Sequence, residues 1–258
     1  MKNKTIQIGI LLISCLNWIG CQSHSAQMTS GKKYLSNYTN QQATEADTSA
    51  LNEEIKEIAS IKPSIKFPSR IGLVKLFNGR ISNLSVEEVE AWEESRSKMG
   101  ETFGEFIPVN PMIAEMVYSA RKNNSKSKSN PSDIFGKVRL GAARQQLDYV
   151  LIYEVFSETK TTKHASSVAN WTIIGGYFVP SREIETTGFA NALLLDVRNG
   201  YPYGNASATL NATEFSASQT YRDKSRNLAD KNQINTVIKL IPKVQQMMKK
   251  LMQDSRQT

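Results

Sequence analysis

From Asp148 to Phe156 the chain reads Asp-Tyr-Val-Leu-Ile-Tyr-Glu-Val-Phe, with Glu154 as its one interior charge. In an extended conformation Tyr149, Leu151, Tyr153 and Val155 share one face, and Val150, Ile152 and Phe156 the other. A strand apolar on both faces must be covered on both, which puts it in the middle of a sheet. Just upstream, Ile134, Val138, Ala142 and Leu147 keep a helical stripe over residues 132–147, with Ser132 as its N-cap. Helix running straight into buried strand is an α/β unit, and the remaining elements are expected around it.

Arg70–Phe77 predicts a strand with Ile71, Leu73 and Val74 buried, followed by the turn pair Asn78-Gly79. Ser85-Val-Glu-Glu88 has the form of a capping box, which predicts a helix to about Lys98. Its glutamates at 87, 88, 90, 93 and 94 lie where the helix dipole favours negative charge. With no histidine or cysteine beside them, they read as a solvated helix face and not as metal ligands. Phe103–Val109 predicts a short strand, and Pro111 opens a helix through Arg121.

Beyond the central strand, residues 157–167 read as a polar connector. Strands follow at Trp171–Val179 and Gly188–Arg198, with Pro180-Ser-Arg between them. Asn199-Gly200 then predicts a hairpin turn. In the next strand Asn205, Ser207, Thr209, Asn211 and Thr213 alternate with Ala206, Ala208, Leu210 and Ala212, a half-buried pattern with an amide-and-hydroxyl outer face. From about Asp230, Ile234, Ile238, Ile241, Met248 and Met252 form one helical stripe, thickened by Val237, Val244 and Leu251. Pro242 within it predicts a kink or a division into two helices. The fold class is therefore α/β (α+β): a mixed sheet with a buried central strand, flanking helices, an antiparallel meander and a C-terminal amphipathic helix.

The first twenty residues change the picture. Lys2 and Lys4 precede an apolar run from Ile6 to Ile19, the form of a signal peptide and too short for a membrane span of about 20 residues. The run ends at Gly20-Cys21 and turns abruptly polar at Gln22. A small residue before a cysteine at that place resembles a bacterial lipobox, with Cys21 as the acylated residue. Trp18 stands where leucine is usual. Leu12-Ile-Ser-Cys15 is the competing site, but it leaves an h-region of about seven residues. An ordinary cleaved signal and an uncleaved anchor are the other readings.

Residues 21–65, rich in Ser, Thr, Asn, Gln and Lys, read as a polar tether, with a short helix over Leu51–Ile61. Residues 66–258 are one domain's length. No cysteine follows Cys21, so the mature chain forms no internal disulfide. The net charge of +8 falls to +6 once residues 1–20, with two lysines and no acid, are removed.

Three patches carry a family resemblance. Arg70-Ile-Gly-Leu-Val-Lys-Leu76 looks like the opening strand of the TolB amino-terminal-like domain. Leu140-Gly-Ala-Ala-Arg-Gln-Gln-Leu-Asp-Tyr-Val-Leu-Ile-Tyr-Glu-Val155 resembles that group's helix and buried strand, and Asp196-Val-Arg-Asn-Gly200 is similar to its hairpin. The same signature occurs in curli-secretion lipoproteins and in lipoprotein activators of peptidoglycan synthases. Tyr153 departs from it, standing where a small residue is usual. No amphipathic pore-forming segment is evident beyond Trp171–Val179 and Gly188–Arg198, whose apolar runs suit a soluble core equally well. The resemblance implies a periplasmic lipoprotein, by analogy of the outer membrane because Gln22 is not aspartate. It would bind other envelope components, with no catalytic residue and no cofactor.

Chemistry is thin. The two histidines, His24 and His164, lie in the tether and in a polar connector, so no triad forms around them. Gly175-Gly176 lacks the spacing of a phosphate loop and reads as a bulge. Glu154 is either a buried perturbed acid or a solvated or arginine-paired group at the sheet's end. Lys122–Pro131 is basic, but without aromatic residues to stack on bases it points to no nucleic acid. The expected partners are the membrane, through the acyl anchor, and an envelope protein; an oligomeric channel component and a lipid- or glycan-binding module are the alternatives. Tyr201, Pro202 and Tyr203 at the hairpin tip are the candidate contact residues. Equally, the tyrosines would cover the sheet's end.

Overall fold

The computed structural model describes residues 24–26, 57, 60, 61, 65–122, 134–163, 180–217 and 219–256. Their elements are β1 (His24–Ala26), β2 (Ser69–Phe77), β3 (Arg80–Ser82), α1 (Val86–Met99), β4 (Gly104–Pro108), α2 (Pro111–Lys122), α3 (Ile134–Arg144), β5 (Tyr149–Lys163), β6 (Pro180–Asp196), β7 (Pro202–Ala217) and α4 (Tyr221–Ser255). The strands form one mixed sheet in the order β1-β7-β6-β5-β2-β3, with β4 also on β2.

β4 and β5 both run parallel to β2, on its two sides, while β6 and β7 add antiparallel. The crossover from β2 to β4 passes over one face through α1. The return from β4 to β5 passes over the other through α2 and α3. Opposite directions on opposite faces give both crossovers the same hand, as the twist of the strands requires.

β5 is central, and its two apolar faces build two cores. Tyr149, Leu151, Tyr153 and Val155 join Trp92 of α1 and the buried side of α4. Val150 and Ile152 join Val74, Val109, Val138 and Ala142 beneath α2 and α3. The second core ends there: among the described residues Glu154 is exposed and Phe156 is 42% exposed, and beyond Ser157 β5 is exposed on both faces.

Several expectations shift. β5 continues through the stretch read as a connector, to Lys163, because each of its residues finds an antiparallel partner in β6. β6 begins at Pro180, eight residues before Gly188, with a register shift between Pro180 and Arg182 absorbing the proline at the strand's start. α4 starts at Tyr221 and runs unbroken to Ser255 with Pro242 inside it, so it is not divided. Its buried face agrees with the predicted stripe at Ile241, Met248 and Met252 and departs from it at Ile238. Val237, Leu240, Ile241, Val244, Met247, Met248 and Leu251 are buried against the sheet, whereas Ile238 is 40% exposed. Trp171–Val179, Ser132, His164, Gly175, Gly176 and nearly all of Leu51–Ile61 lie outside the described residues.

Residues 24–26, placed in the tether by composition, form an edge strand on β7, pairing His24 with Ala206 and Ala26 with Gly204. Gly204 makes this possible. A Cβ there would lie 2.4 Å from the Ser25 carbonyl oxygen and 2.7 Å from Met247 Sδ. Three residues carry too little pattern for such pairing to be read from sequence.

Candidate functional site: an open sheet face

The register of β5, β6 and β7 aligns side chains in rows across the face opposite α4. Ile152, Leu193 and Asn205 form one row, Glu154, Asn191 and Ser207 the next, then Phe156, Phe189 and Thr209. Asn205, Ser207, Thr209, Asn211 and Thr213 are all exposed, as the alternation along this strand predicts. Phe156 and Phe189 stack across the strands, ring centroids 5.1 Å apart at 22°. Where the face meets the start of α3, a groove of about 440 Å³ opens between Phe135 and the strands, with Leu76, Ile152 and Leu193 on its apolar side and Glu154, Asn191 and Ser207 on its polar side.

Amide and hydroxyl groups offer donors and acceptors on a rigid sheet, and the phenylalanine pair offers apolar area. Glu154 is exposed to solvent and not buried. Two strand spacings, about 9.6 Å, separate it from Ser207, too far for the carboxylate to take that hydroxyl's proton. Among the described residues, no group of three His, Cys, Asp or Glu is placed to hold a metal. Nor is any helix among them long and apolar enough to cross a membrane.

The hairpin tip is built differently from a contact loop. Asp196 is fully buried, and its carboxylate accepts from the Arg198 guanidinium at 2.9 and 3.1 Å and from the Arg198 backbone N–H at 2.8 Å. That paired carboxylate holds Arg198 still more firmly in its charged form. Arg139 of α3 donates to the carbonyls of Val197 and Arg198. Gly200 takes the left-handed conformation that closes the turn. The chain therefore turns inward after Gly200. Tyr203 is 0% and Tyr201 8% exposed, each edge-on to an aromatic neighbour, so the tyrosines cover the sheet's end and only Pro202 faces solvent. Cys21 lies outside the described residues.

One group was misassigned among the glutamates. Glu88 is fully buried. Its carboxylate accepts from Lys75 Nζ at 2.8 Å and from the Ser85 backbone N–H at 3.0 Å, closing the capping box, while Glu87, Glu90, Glu93 and Glu94 are solvated as expected. Tyr153 packs on Trp92 and reaches the same carboxylate at 3.5 Å. Burial, reinforced by the Glu88 charge, raises the Tyr153 pKa and keeps its hydroxyl protonated. The signal for this cluster was Lys75, a charge inside an apolar strand.

No protein-family model matches the chain, and no curated protein matches it. Solved structures to which it is similar include the PelC dodecamer from Paraburkholderia phytofirmans, at 11% identity over 72% of this chain and 91% of that one, with a TM-score of 0.32. The LpoB C-terminal domain from Salmonella enterica follows at 10% identity, covering 57% and 84%, with a TM-score of 0.29. The lipoprotein GNA1162 from Neisseria meningitidis has 19% identity, covering 63% and 99%, with a TM-score of 0.26. Bacterial lipoproteins are thus among the weak structural likenesses of this chain, and scores this low transfer neither an activity nor a partner to it.

Proposed function

We propose that this chain is a lipid-anchored cell-envelope protein, held by an acylated Cys21 on the periplasmic side of the outer membrane, that acts by binding another envelope protein and not by catalysis. The observation that carries the reading is the open face of β5, β6 and β7. Monomeric domains normally cover a sheet's apolar positions, yet here the stacked Phe156 and Phe189 lie beyond α3, with Phe156 42% exposed, and a groove opens beside Phe135 at that helix's first turn. Flanking amides and hydroxyls supply the polar rim that protein interfaces use.

Site-specific photocrosslinking in intact cells tests it. A crosslinker at Ser207 is expected to give a discrete protein adduct that Asn191→Arg abolishes, while one at Glu94 on the solvated side of α1 gives none. Absence of any adduct at Ser207, Asn191 and Thr209 would count decisively against the reading. A second reading, an oligomeric channel component, draws on β5 and β6, whose 15 and 17 residues outrun the helical cover. Light scattering in detergent separates the two: a monomer removes the channel, a closed ring supports it.

A further inference from the structure

β1 starts three residues after Cys21, so the sulfur-bearing residue lies within about 11 Å of His24 even with the chain fully extended. β1 is also held firmly. Its backbone pairs with β7 in the space that Gly204 leaves open, and the Ser25 hydroxyl donates to Asn205 Oδ1 at 2.9 Å. Its other neighbour is α4, whose Met247 packs on Gly204. From Lys239 to Ser255 that helix carries four basic side chains against one acid, Asp254, and Arg256 caps its end. Lys243, Gln246 and Lys250 recur at helical spacing on one side of it. Lys243 and Lys250 are near enough to His24 to add to burial in lowering its pKa.

We infer that β1 clamps the acylated residue to the domain, so that the C-terminal half of α4 lies on the bilayer with Lys243, Lys249 and Lys250 against anionic lipid headgroups. The inference rests on the acyl anchor proposed above. It changes the role of the polar stretch 27–64, which joins β1 to β2 and cannot set the distance between domain and membrane. It also gives the open face a direction. β7 leads away from the clamp, so Thr213, nine residues beyond Gly204, stands about 30 Å farther along the strand.

Because no cysteine follows Cys21, a single introduced cysteine can be labelled uniquely. The acylated full-length chain, reconstituted in phosphatidylethanolamine–phosphatidylglycerol vesicles carrying a headgroup acceptor, is labelled at Gln246→Cys or at Thr213→Cys. Energy transfer is expected to be severalfold stronger from residue 246. Ser25→Pro, which removes a backbone donor from β1 without touching the core, should bring the two positions to equal, weak transfer, as should Gly204→Val if it folds. The triple change Lys243→Glu, Lys249→Glu, Lys250→Glu should lower transfer at 246, and no change there would overturn the headgroup contact. Equal transfer from both positions in the otherwise unaltered chain would overturn the clamp. Mass spectrometry of the same preparation separates the causes: a chain without acyl mass overturns the anchor and the clamp together, whereas an acylated chain with equal transfer overturns the clamp alone.

Discussion

Glu88 shows how one buried charge joins three elements. It caps α1, neutralises Lys75 of β2 and stands beside Tyr153 of β5. Removing one partner of a buried pair strands the other, a larger loss than the pair's net contribution. Glu88→Ala should lower unfolding free energy by about 3 kcal/mol, measured by denaturant titration. Lys75→Met combined with Glu88→Gln should cost less than the sum of the single changes. Additive costs would mean that the two side chains do not interact. His24 makes the edge strand sensitive to pH. Burial first, then Lys243 and Lys250, lowers its pKa from the ordinary 6.5. The unfolded chain therefore binds the proton more readily, and the stabilising contribution is complete above pH 6.5 and lost as pH falls toward the folded-state value. The protection factors of the β1 amides, exchange rates corrected for the intrinsic pH dependence, should fall between pH 7 and pH 5, and His24→Gln should remove that fall.

At the scale of elements, α4 is the longest of the described helices and, with α1, covers one face of the sheet's core. Its packing is close: Asn232 donates to the carbonyls of Thr186 and Leu210, and a Cβ on Gly188 would lie 2.0 Å from Asn232 Oδ1. Lys239 and Lys224 donate to the carbonyls of Thr209 and Phe215, along the part of β7 that β1 does not reach. Charged groups on an edge strand oppose pairing with another chain. Pro242 is exposed and removes one intrahelical hydrogen bond, so Pro242→Ala should raise stability by about 1–3 kcal/mol in thermal or chemical melts. A loss instead would mean that the helix depends on a bend there.

Legibility followed the strength of each pattern. β2, the core of β5, the Asn199-Gly200 turn, the alternation of β7 and the capping box of α1 were all legible, since each is set by neighbours in sequence. What failed was set by distant partners. Polar residues 157–163 are strand because β6 lies alongside, and His24–Ala26 are strand because Gly204 leaves space. Ile238 points to water because the sheet, not the stripe's apparent centre, decides which side of α4 is buried. The hairpin tyrosines, left open between contact and cover, turn inward where Arg139 donates to the turn's carbonyls and Asp196 holds Arg198. The open face was half legible: its polar strand was read correctly, but where α3 stops covering β5 depends on helix length and register.

At the scale of the molecule, one face of the sheet is packed under α1 and α4 as far as Val155 on β5, and the other is half open. Deleting residues 230–258 should abolish cooperative unfolding, since it exposes the core shared by α4, β5, β6 and β7. A folded remnant that merely lost ligand binding would return α4 to the role of a surface module. The division of labour proposed here, anchoring at one end and recognition on the open face, depends first on Cys21. The most direct measurement is the mass of the mature N-terminal peptide purified from membranes. The expected result is a chain beginning at Cys21 and carrying thioether-linked diacylglycerol. An unmodified terminus, or a chain still beginning at Met1, would contradict the proposed anchoring.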